Sequence, residues 1–578
     1  MWRTRSLLFG LFCLLALPPG LLAQDASSQY YRAYYLQQEQ RDVAGALPLY
    51  EALAADSSAD AELRAKARAH AEECREDLAA QDLARLMPPS ALAYVELRQP
   101  AEQLLRLARM LGVLKEDGAE PGNRIAIHPT LIRDLIGVGG AALAITGFEN
   151  EDPEGIIILH PGDLKVVRAF IESVLPVASP LAEPIHGYET YHIDNEIFVT
   201  LTSRMVFASA QRWNIEAAIG RLKGKVRESL AGSSMLAEAR RDDSLLFFAV
   251  NFQSFLPLLE EQVGHSQEFA ALQSILDLRH LKGLAGGLGV TENGVQLDVT
   301  LRLDENHKNL AFNFVQLPPL DMECLRHVPR GAAAFLSVAL NEAGSGSPTP
   351  SAESAPPLSA LDLGREIFAN IAGISLFLLP GTQDPAPGVA AVITVRDPAK
   401  STELWSQILR LGSMASGADL EAAGTVEQID GVVAHVYPIR RGPNIYLANE
   451  GNILVLTPNK TALTRSLAAQ RNRATVLEDP AFQSSISRLG PSSTLALFVH
   501  PARAIEFAKP FMGKHDSQQI EPFLDSLSDT VASMVMDHSR EKLHLSLEID
   551  GIPRVGPIVS KIIAHDSTSP TPACGSQA

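Results

Sequence analysis

Residues 295–303 read Val295-Gln296-Leu297-Asp298-Val299-Thr300-Leu301-Arg302-Leu303, and residues 543–549 read Leu543-His544-Leu545-Ser546-Leu547-Glu548-Ile549. Both alternate apolar and polar side chains without a break. Successive residues of a strand point to opposite faces, so a period of two predicts that one face packs and the other meets water, as on an antiparallel sheet covered on one side. The pattern occurs twice, and so does much of what surrounds it.

Outward from these strands, Ser244-Leu245-Leu246-Phe247-Phe248 matches Thr494-Leu495-Ala496-Leu497-Phe498, and Met205-Val206-Phe207-Ala208-Ser209 matches Ile453-Leu454-Val455-Leu456-Thr457. Each of the latter strands precedes a helix, one with Ile215, Ala218, Ile219 and Leu222 on one face, the other with Leu463 and Leu467. Ile185-His186-Gly187-Tyr188 is echoed by Ile429-Asp430-Gly431-Val432. Residues 155–160 lead into Asp163 and a helix over 164–175, with Leu164, Val167, Ile171 and Val174 on one face. Residues 388–395 lead likewise into Asp397 and a helix over 402–411, with Leu404, Ile408 and Leu411 aligned. Both aspartates stand where an N-cap belongs, because a short carboxylate accepts hydrogen bonds from the free N–H groups of the first turn. Upstream, Met87-Pro88-Pro89-Ser90-Ala91-Leu92-Ala93-Tyr94 answers Val328-Pro329-Arg330-Gly331-Ala332-Ala333-Ala334-Phe335.

Matching residues stand about 235–250 positions apart, a drift that small loop insertions produce. The expected fold class is α+β: two tandem copies of a mostly antiparallel sheet-plus-helices module, 87–310 and 325–555, preceded by a short α-helical hairpin over 24–86. The Pro/Ser-rich stretch 344–357, within a loop expected to be disordered over 342–360, has the composition of an interdomain linker. It follows strand 332–340 of the second copy, however, at the place where the first copy holds a helix over 101–114 carrying Leu104, Leu107, Ala108 and Leu111. It therefore reads as a loop inside module two, with the module boundary near 305–326.

At the start of the chain Arg3 and Arg5 precede an apolar run over 7–17, then Pro18-Pro19-Gly20 and a small residue at Ala23, the outline of a secretory leader over 1–23. Cys13 lies inside the run after Leu11-Phe12 and is no lipidation site. Residues 565–578 read as a disordered tail. Between leader and modules, Ala46, Tyr50 and Leu53 follow helical spacing, and an Ala/Glu/Arg-rich run covers 61–83. With Tyr30 and Ala33, these residues resemble the packing positions of a tetratricopeptide-type hairpin. Tyr34 stands where that family has glycine and Ser58 where it has proline. The resemblance covers one and a half repeats, whereas stable arrays need about three, so this hairpin must lean on the body or on a partner.

A hydrophobic fraction of 46% and a mean hydropathy of +0.05 mark a globular chain, and 578 residues exceed one core. The formal charge of −18 becomes −20 once Arg3 and Arg5 leave with the leader, which excludes nucleic acid as a partner class. After the leader no stretch reaches the ~18 apolar residues of a membrane span, and 374–379 reads as a buried strand. Cys74, Cys324 and Cys574 are too few and too scattered for a disulfide framework or a zinc site.

The glycine clusters Gly137, Gly139, Gly140 and Gly286, Gly287, Gly289 lack the spacing of a dinucleotide fingerprint, and no Gly-Lys-Ser/Thr occurs; strand starts and tight turns account for them. Ser539-Arg540-Glu541-Lys542 is a Ser-x-x-Lys in a hairpin turn rather than on the helix that penicillin-recognising enzymes require. His186, Glu189 and His192 invite a metal reading, but on an extended strand the two histidines stand ~20 Å apart. Aromatic residues are sparse, and none suggests a stacking platform. No catalytic, cofactor-binding or metal residue is assigned, no cofactor is expected, and enzymatic activity is not the leading expectation.

The proline-started strands Pro88-Pro89-Ser90-Ala91 and Pro329-Arg330-Gly331-Ala332, set in strand–helix repeats behind a leader, are similar to exported bacterial proteins catalogued as domain of unknown function 3352. The similarity covers residues 87–550 and implies export and fold class, since that family brings no established activity. Three functions stay open. One is a non-enzymatic exported envelope or periplasmic scaffold that binds other proteins through the helical hairpin, peripheral to the membrane if the leader is retained. The second is a carrier of an apolar ligand or lipid in a cleft between the modules. The third is a hydrolase whose site is assembled from distant residues.

Overall fold

The computed structural model describes residues 26–113, 139–149, 152–161, 179–181, 183–193, 196–233, 244–264, 266–309, 317–340, 369–382, 384–415, 424–513 and 524–554, with isolated residues between them. The expected leader, Asp163 with most of the 164–175 helix, the 342–360 loop and the 565–578 tail lie outside the described residues. The chain divides into two compact units, Met1–Pro100 with Ile136–Ser233, and Ala101–Leu135 with Ser234–Ala578. The fold class is α+β, and the strand pairings within each unit are antiparallel.

The first unit opens with three helices, one more than a hairpin: α1 (Ala26–Gln38), α2 (Val43–Ala55) and α3 (Ala61–Ala80). Asp42 caps α2 by accepting from the Gly45 N–H, and Asp60 caps α3 by accepting from those of Glu62 and Leu63. Ala33, Ala46, Tyr50, Leu53, Ala67, Ala71 and Cys74 form the helical core. The buried Tyr50 hydroxyl donates to Gln37 Oε1 at 3.0 Å. Burial pushes the Cys74 thiol up to about 12, which keeps it neutral at pH 7.

These helices lean on the sheet of their own unit through a buried carboxylate. Glu76, 1% exposed, accepts from Thr202 Oγ1 at 2.8 Å, Ser203 Oγ at 2.9 Å and the N–H groups of Arg204 at 2.5 Å and Ser203 at 3.3 Å. Burial pushes its carboxyl above the ordinary value against the pull of these donors. Beside it the Tyr188 hydroxyl donates to Glu72 at 3.0 Å, and Arg204 pairs with Asp77 at 3.1 Å.

The strands of this unit are β1 (Ala93–Arg98), β2 (Gly140–Glu149), β3 (Asp152–His160), β4 (Ser179–Pro180), β5 (Glu189–Ile193), β6 (Ile197–Leu201) and β7 (Val206–Ser209). They lie in the order β4-β5-β6-β7-β3-β2-β1. Ile215, Ala218, Ile219 and Leu222 are all buried on the helix Arg212–Leu222.

The second unit holds β8 (Ser244–Asn251), β9 (Leu281–Val290), β10 (Gly294–Leu303), β11 (Ala334–Ala339), β12 (Ile371–Leu378), β13 (Val389–Val395), β14 (Thr425–Ile429), β15 (Val432–Tyr437), β16 (Ile445–Glu450), β17 (Ile453–Thr457), β18 (Ser493–Val499), β19 (Val531–Ser539) and β20 (Lys542–Asp550). Their order is β8-β9-β10-β20-β19-β18-β11-β12-β13-β17-β16-β15-β14. The run β11 to β17 thus repeats the order of β1 to β7, and β18 to β20 that of β8 to β10. Register repeats too: Val95 faces Leu143 and Leu143 faces Ile157 in the first unit, as Leu336 faces Leu376 and Leu376 faces Ala391 in the second. His186-Gly187 and Asp430-Gly431 are both two-residue turns with φ of 53° and 85°, and 50° and 80°.

Several local expectations change. The helix Pro100–Met110 stops short of residue 114, closed by Gly112 at φ 66°. Its buried positions are Gln103, Leu105 and Ala108, while Leu104, Leu107 and Leu111 are only half-buried. Gly286, Gly287 and Gly289 sit within β9 rather than at its start. A Cβ at Gly286 would stand 2.6 Å from both the Asp298 carbonyl and the Phe248 ring, so the bare backbone makes room for an aromatic neighbour across the pair. Asp397 caps the helix Pro398–Ala415, accepting from the Lys400 N–H at 3.1 Å.

The main core of the second unit gathers Phe335, Phe377, Val392, Leu463, Leu467, Phe482 and Phe498. At its edge Asp479, 1% exposed, accepts from both Arg503 Nη atoms at 2.6 and 3.1 Å, from the Gly331 N–H at 2.9 Å and from that of Ala481 at 3.2 Å. Burial pushes this carboxyl up, but the Arg503 guanidinium and the two N–H groups outweigh it and hold it below its ordinary value. A depressed folded-state pKa contributes stability above the unfolded value near 4 and loses it as pH falls through the folded one. Asp479→Asn is therefore expected to cost about 3 kcal/mol at pH 7 in urea unfolding, and the gap to the unaltered protein should narrow below about pH 4. A gap that stays constant down to pH 2.5 contradicts the ionised pair.

Candidate apolar groove on the sheet face

The two strands with the strongest alternation pair with each other. β10 and β20 run antiparallel from Gly294 opposite Asp550 to Arg302 opposite Lys542. In this register like meets like: Val295 faces Ile549, Leu297 faces Leu547, Val299 faces Leu545 and Leu301 faces Leu543 on one side of the sheet. On the other side Gln296 faces Glu548, Asp298 faces Ser546 and Thr300 faces His544.

On β10, and at Glu548 of β20, the polar side is the more buried one, the reverse of what alternation alone suggests, while His544 and Ser546 are half-buried. Gln296, Asp298, Thr300 and Glu548 are 8%, 7%, 3% and 4% exposed, whereas Val295, Leu297, Val299 and the three leucines of β20 are half-buried and Ile549 is 43% exposed. Polar side chains tolerate burial when their hydrogen bonds are met, and here they meet one another. Gln296 Nε2 donates to Asp298 Oδ1 at 3.1 Å and to Ser546 Oγ at 3.2 Å, Thr300 Oγ1 lies 3.0 Å from His544 Nδ1, and His544 Nε2 lies 3.7 Å from Asp298. The segment 480–488 reaches this side: Arg488 pairs with Glu548 and, at 3.6 Å, with Asp550, to which Ser484 Oγ donates at 3.1 Å.

The apolar side continues across neighbouring strands. Leu246 faces Leu288, Leu288 faces Leu297, Leu547 faces Met534, Met534 faces Leu497 and Leu497 faces Leu336, all half-buried. In its middle is a groove of about 400 Å³ lined by Leu288, Val295, Leu297, Leu497, Val499, Ala532, Met534, Leu547 and Ile549, with Ser533 and Glu548 also at its wall but almost no polar surface exposed. That lies in the usual size range for small-molecule sites. Such a surface favours non-directional burial of apolar groups.

The residues weighed for a metal do not converge. His186 stands in a turn, not on an extended strand, with Nε2 3.3 Å from the Glu216 carbonyl. Glu189 pairs with Arg168 at 2.7 Å, and His192 stacks on Phe198 at 4.3 Å. Ser539 and Lys542 face each other across the β19–β20 hairpin. Sequence reasoning also passed over an aromatic cluster on α1: Tyr30 stacks on Tyr34 at 6.3 Å and meets Tyr31 edge-on at 5.8 Å, while Tyr31, Tyr34 and Tyr35 are 69%, 43% and 55% exposed. Its signal was local, four tyrosines in six residues at helical spacing. Val499, Ala532 and Met534 of the groove had no such signal, since their role depends on which face is covered.

Among the described residues no helix is long and apolar enough to cross a membrane. No family model and no curated protein matches the chain. Among solved structures, crystal forms IV, III and I of TP0453 align with TM-scores of 0.23, 0.25 and 0.24 at 11%, 12% and 12% identity. These alignments cover 37%, 40% and 40% of this chain and 80%, 84% and 83% of the other, a likeness too slight to carry an argument.

Proposed function

We propose that this chain is an exported, non-catalytic binding protein that holds an apolar ligand of acyl-chain type on the open face of its sheet. The observation that carries the reading is the groove at the β10–β20 pairing, where nine apolar side chains from five strands surround about 400 Å³ and remain open to solvent. A contiguous apolar surface of this kind, beside a buried polar face, is costly to leave wet and marks a binding site. Export rests on the leader pattern of residues 1–23. The two copies of the module, on this reading, arose by duplication and supply β9–β10 and β18–β20 as the two walls of the groove.

Native mass spectrometry of the purified protein should show a bound lipid or, after delipidation, uptake of palmitate, and Leu297→Arg should abolish uptake without unfolding the protein. A protein that is empty as purified and also ignores palmitate and a dansylated fatty acid overturns the reading.

A second reading, protein binding through the N-terminal helices, is favoured by the exposed tyrosines of α1, since tyrosine is a preferred anchor of protein interfaces. Affinity capture from envelope extract with unaltered protein and with Tyr31→Ala/Tyr35→Ala should differ in at least one partner. Identical capture lists remove it.

A further inference from the structure

At one end of the second unit's sheet β10 and β19 begin and β18 and β20 end, and there a cavity of about 1030 Å³ opens. It lies on the polar side of the strands: His500, Val531 and Asp550 in its lining share the side of Phe498, Ser533 and Glu548. It is therefore separate from the groove. In a chain of net charge −18 this lining is rich in arginine, with Arg106, Arg109, Arg503 and Arg554.

Arg503 is committed to Asp479, and Arg106 Nη1 donates to the Val290 carbonyl at 3.2 Å, an uncharged partner. Arg109 and Arg554 have no carboxylate partner among the described residues. Of the carboxylates in the lining, Asp550 is taken by Arg488 and Ser484, which leaves Glu292 and Asp529 against three available guanidinium groups.

A second observation is independent of charge. His500 is 5% exposed and lines the cavity, yet its Nδ1 has no hydrogen-bond partner among the described residues. A buried ring nitrogen without a partner is uncommon and costly, and a ligand group in the cavity would supply the missing bond. Burial, with the Arg503 charge adding to it, lowers the pKa of this imidazole and keeps it neutral near pH 7.

The geometry points to a second ligand site in this cavity, for a phosphate ester whose phosphoryl oxygens are held by Arg106, Arg109 and Arg554 and whose hydroxyl or amine groups face His500, Glu292 and Asp529. A phosphomonoester carries close to two negative charges and three acceptor oxygens, which suits several guanidinium forks better than a single carboxylate does. The volume exceeds that of a bare anion and leaves room for the rest of a small molecule. The remaining acids suit donors on the same ligand, so a bare anion is the poorer fit.

The test is isothermal titration of the full chain with inorganic phosphate and with glycerol 3-phosphate, alongside sedimentation with phosphatidylglycerol and phosphatidylcholine vesicles. Arg109 and Arg554 are exposed, so Arg109→Ala/Arg554→Ala should leave the unfolding midpoint in place. The expected result is that glycerol 3-phosphate binds more tightly than inorganic phosphate and that the double variant weakens it by about tenfold or more. Sedimentation with phosphatidylglycerol alone, lost in the same variant, supports the site with a lipid headgroup as its phosphate source. No binding to either source, or binding unchanged in the double variant, overturns the proposal whether or not the groove holds an acyl chain.

Discussion

From Gly294 opposite Asp550 to Arg302 opposite Lys542, one antiparallel ladder joins the β8–β10 run to the β18–β20 run, and the second unit is organised around it. Its register sets leucines and valines against one another on one face and Gln296, Asp298 and Thr300 against Glu548, Ser546 and His544 on the other. A slip of one residue in either strand would set apolar side chains against polar ones along the whole ladder, Asp298 against Leu545 or Leu547 among them, so the alternation itself locks the register. Burying the polar face then requires that its donors and acceptors satisfy one another, which the Gln296–Asp298–His544–Thr300 contacts and the Arg488 ion pairs accomplish. The apolar face is thereby left open.

The same choice is made in the first unit. Glu96 is fully buried and accepts from the Leu83 N–H at 3.1 Å and from Tyr94 and Arg98, while its neighbour Val95 is 41% exposed beside Leu143 at 43% and Ile157 at 51%. The runs β1 to β3 and β11 to β13 share their order and register, and in both a residue facing across these strands, Leu143 in one and Leu376 in the other, is exposed. Glu76 follows the same rule at the seat of the helices, where a buried carboxylate with four donors fixes α3 more specifically than apolar contact alone would.

Much of this was legible in the sequence for identifiable reasons. Period-two alternation in 295–303 and 543–549 gave the strands and their antiparallel class, and Asp397 announced the helix that it caps, whereas the Ile-x-Gly echo marked His186 and Asp430 as equivalent without showing that both stand in turns. What alternation does not carry is the identity of the covering layer. Ser484 and Arg488, which meet Glu548 and Asp550 beside Gln296, come from nearly two hundred positions after β10, and the arginine cavity assembles Arg106, Arg503 and Arg554 from three distant segments. Gly286 misled because a strand glycine that makes room for Phe248 looks, in sequence, like a turn glycine.

The central claim is that the leucine side of the β10–β20 ladder is open and its polar side closed. Single cysteines placed at each position from 295 to 300, in delipidated protein with Cys574 replaced by serine, can be timed for reaction with a maleimide. The account predicts fast labelling at 295, 297 and 299 and slow labelling at 296, 298 and 300. The opposite alternation would contradict it, and with it the groove.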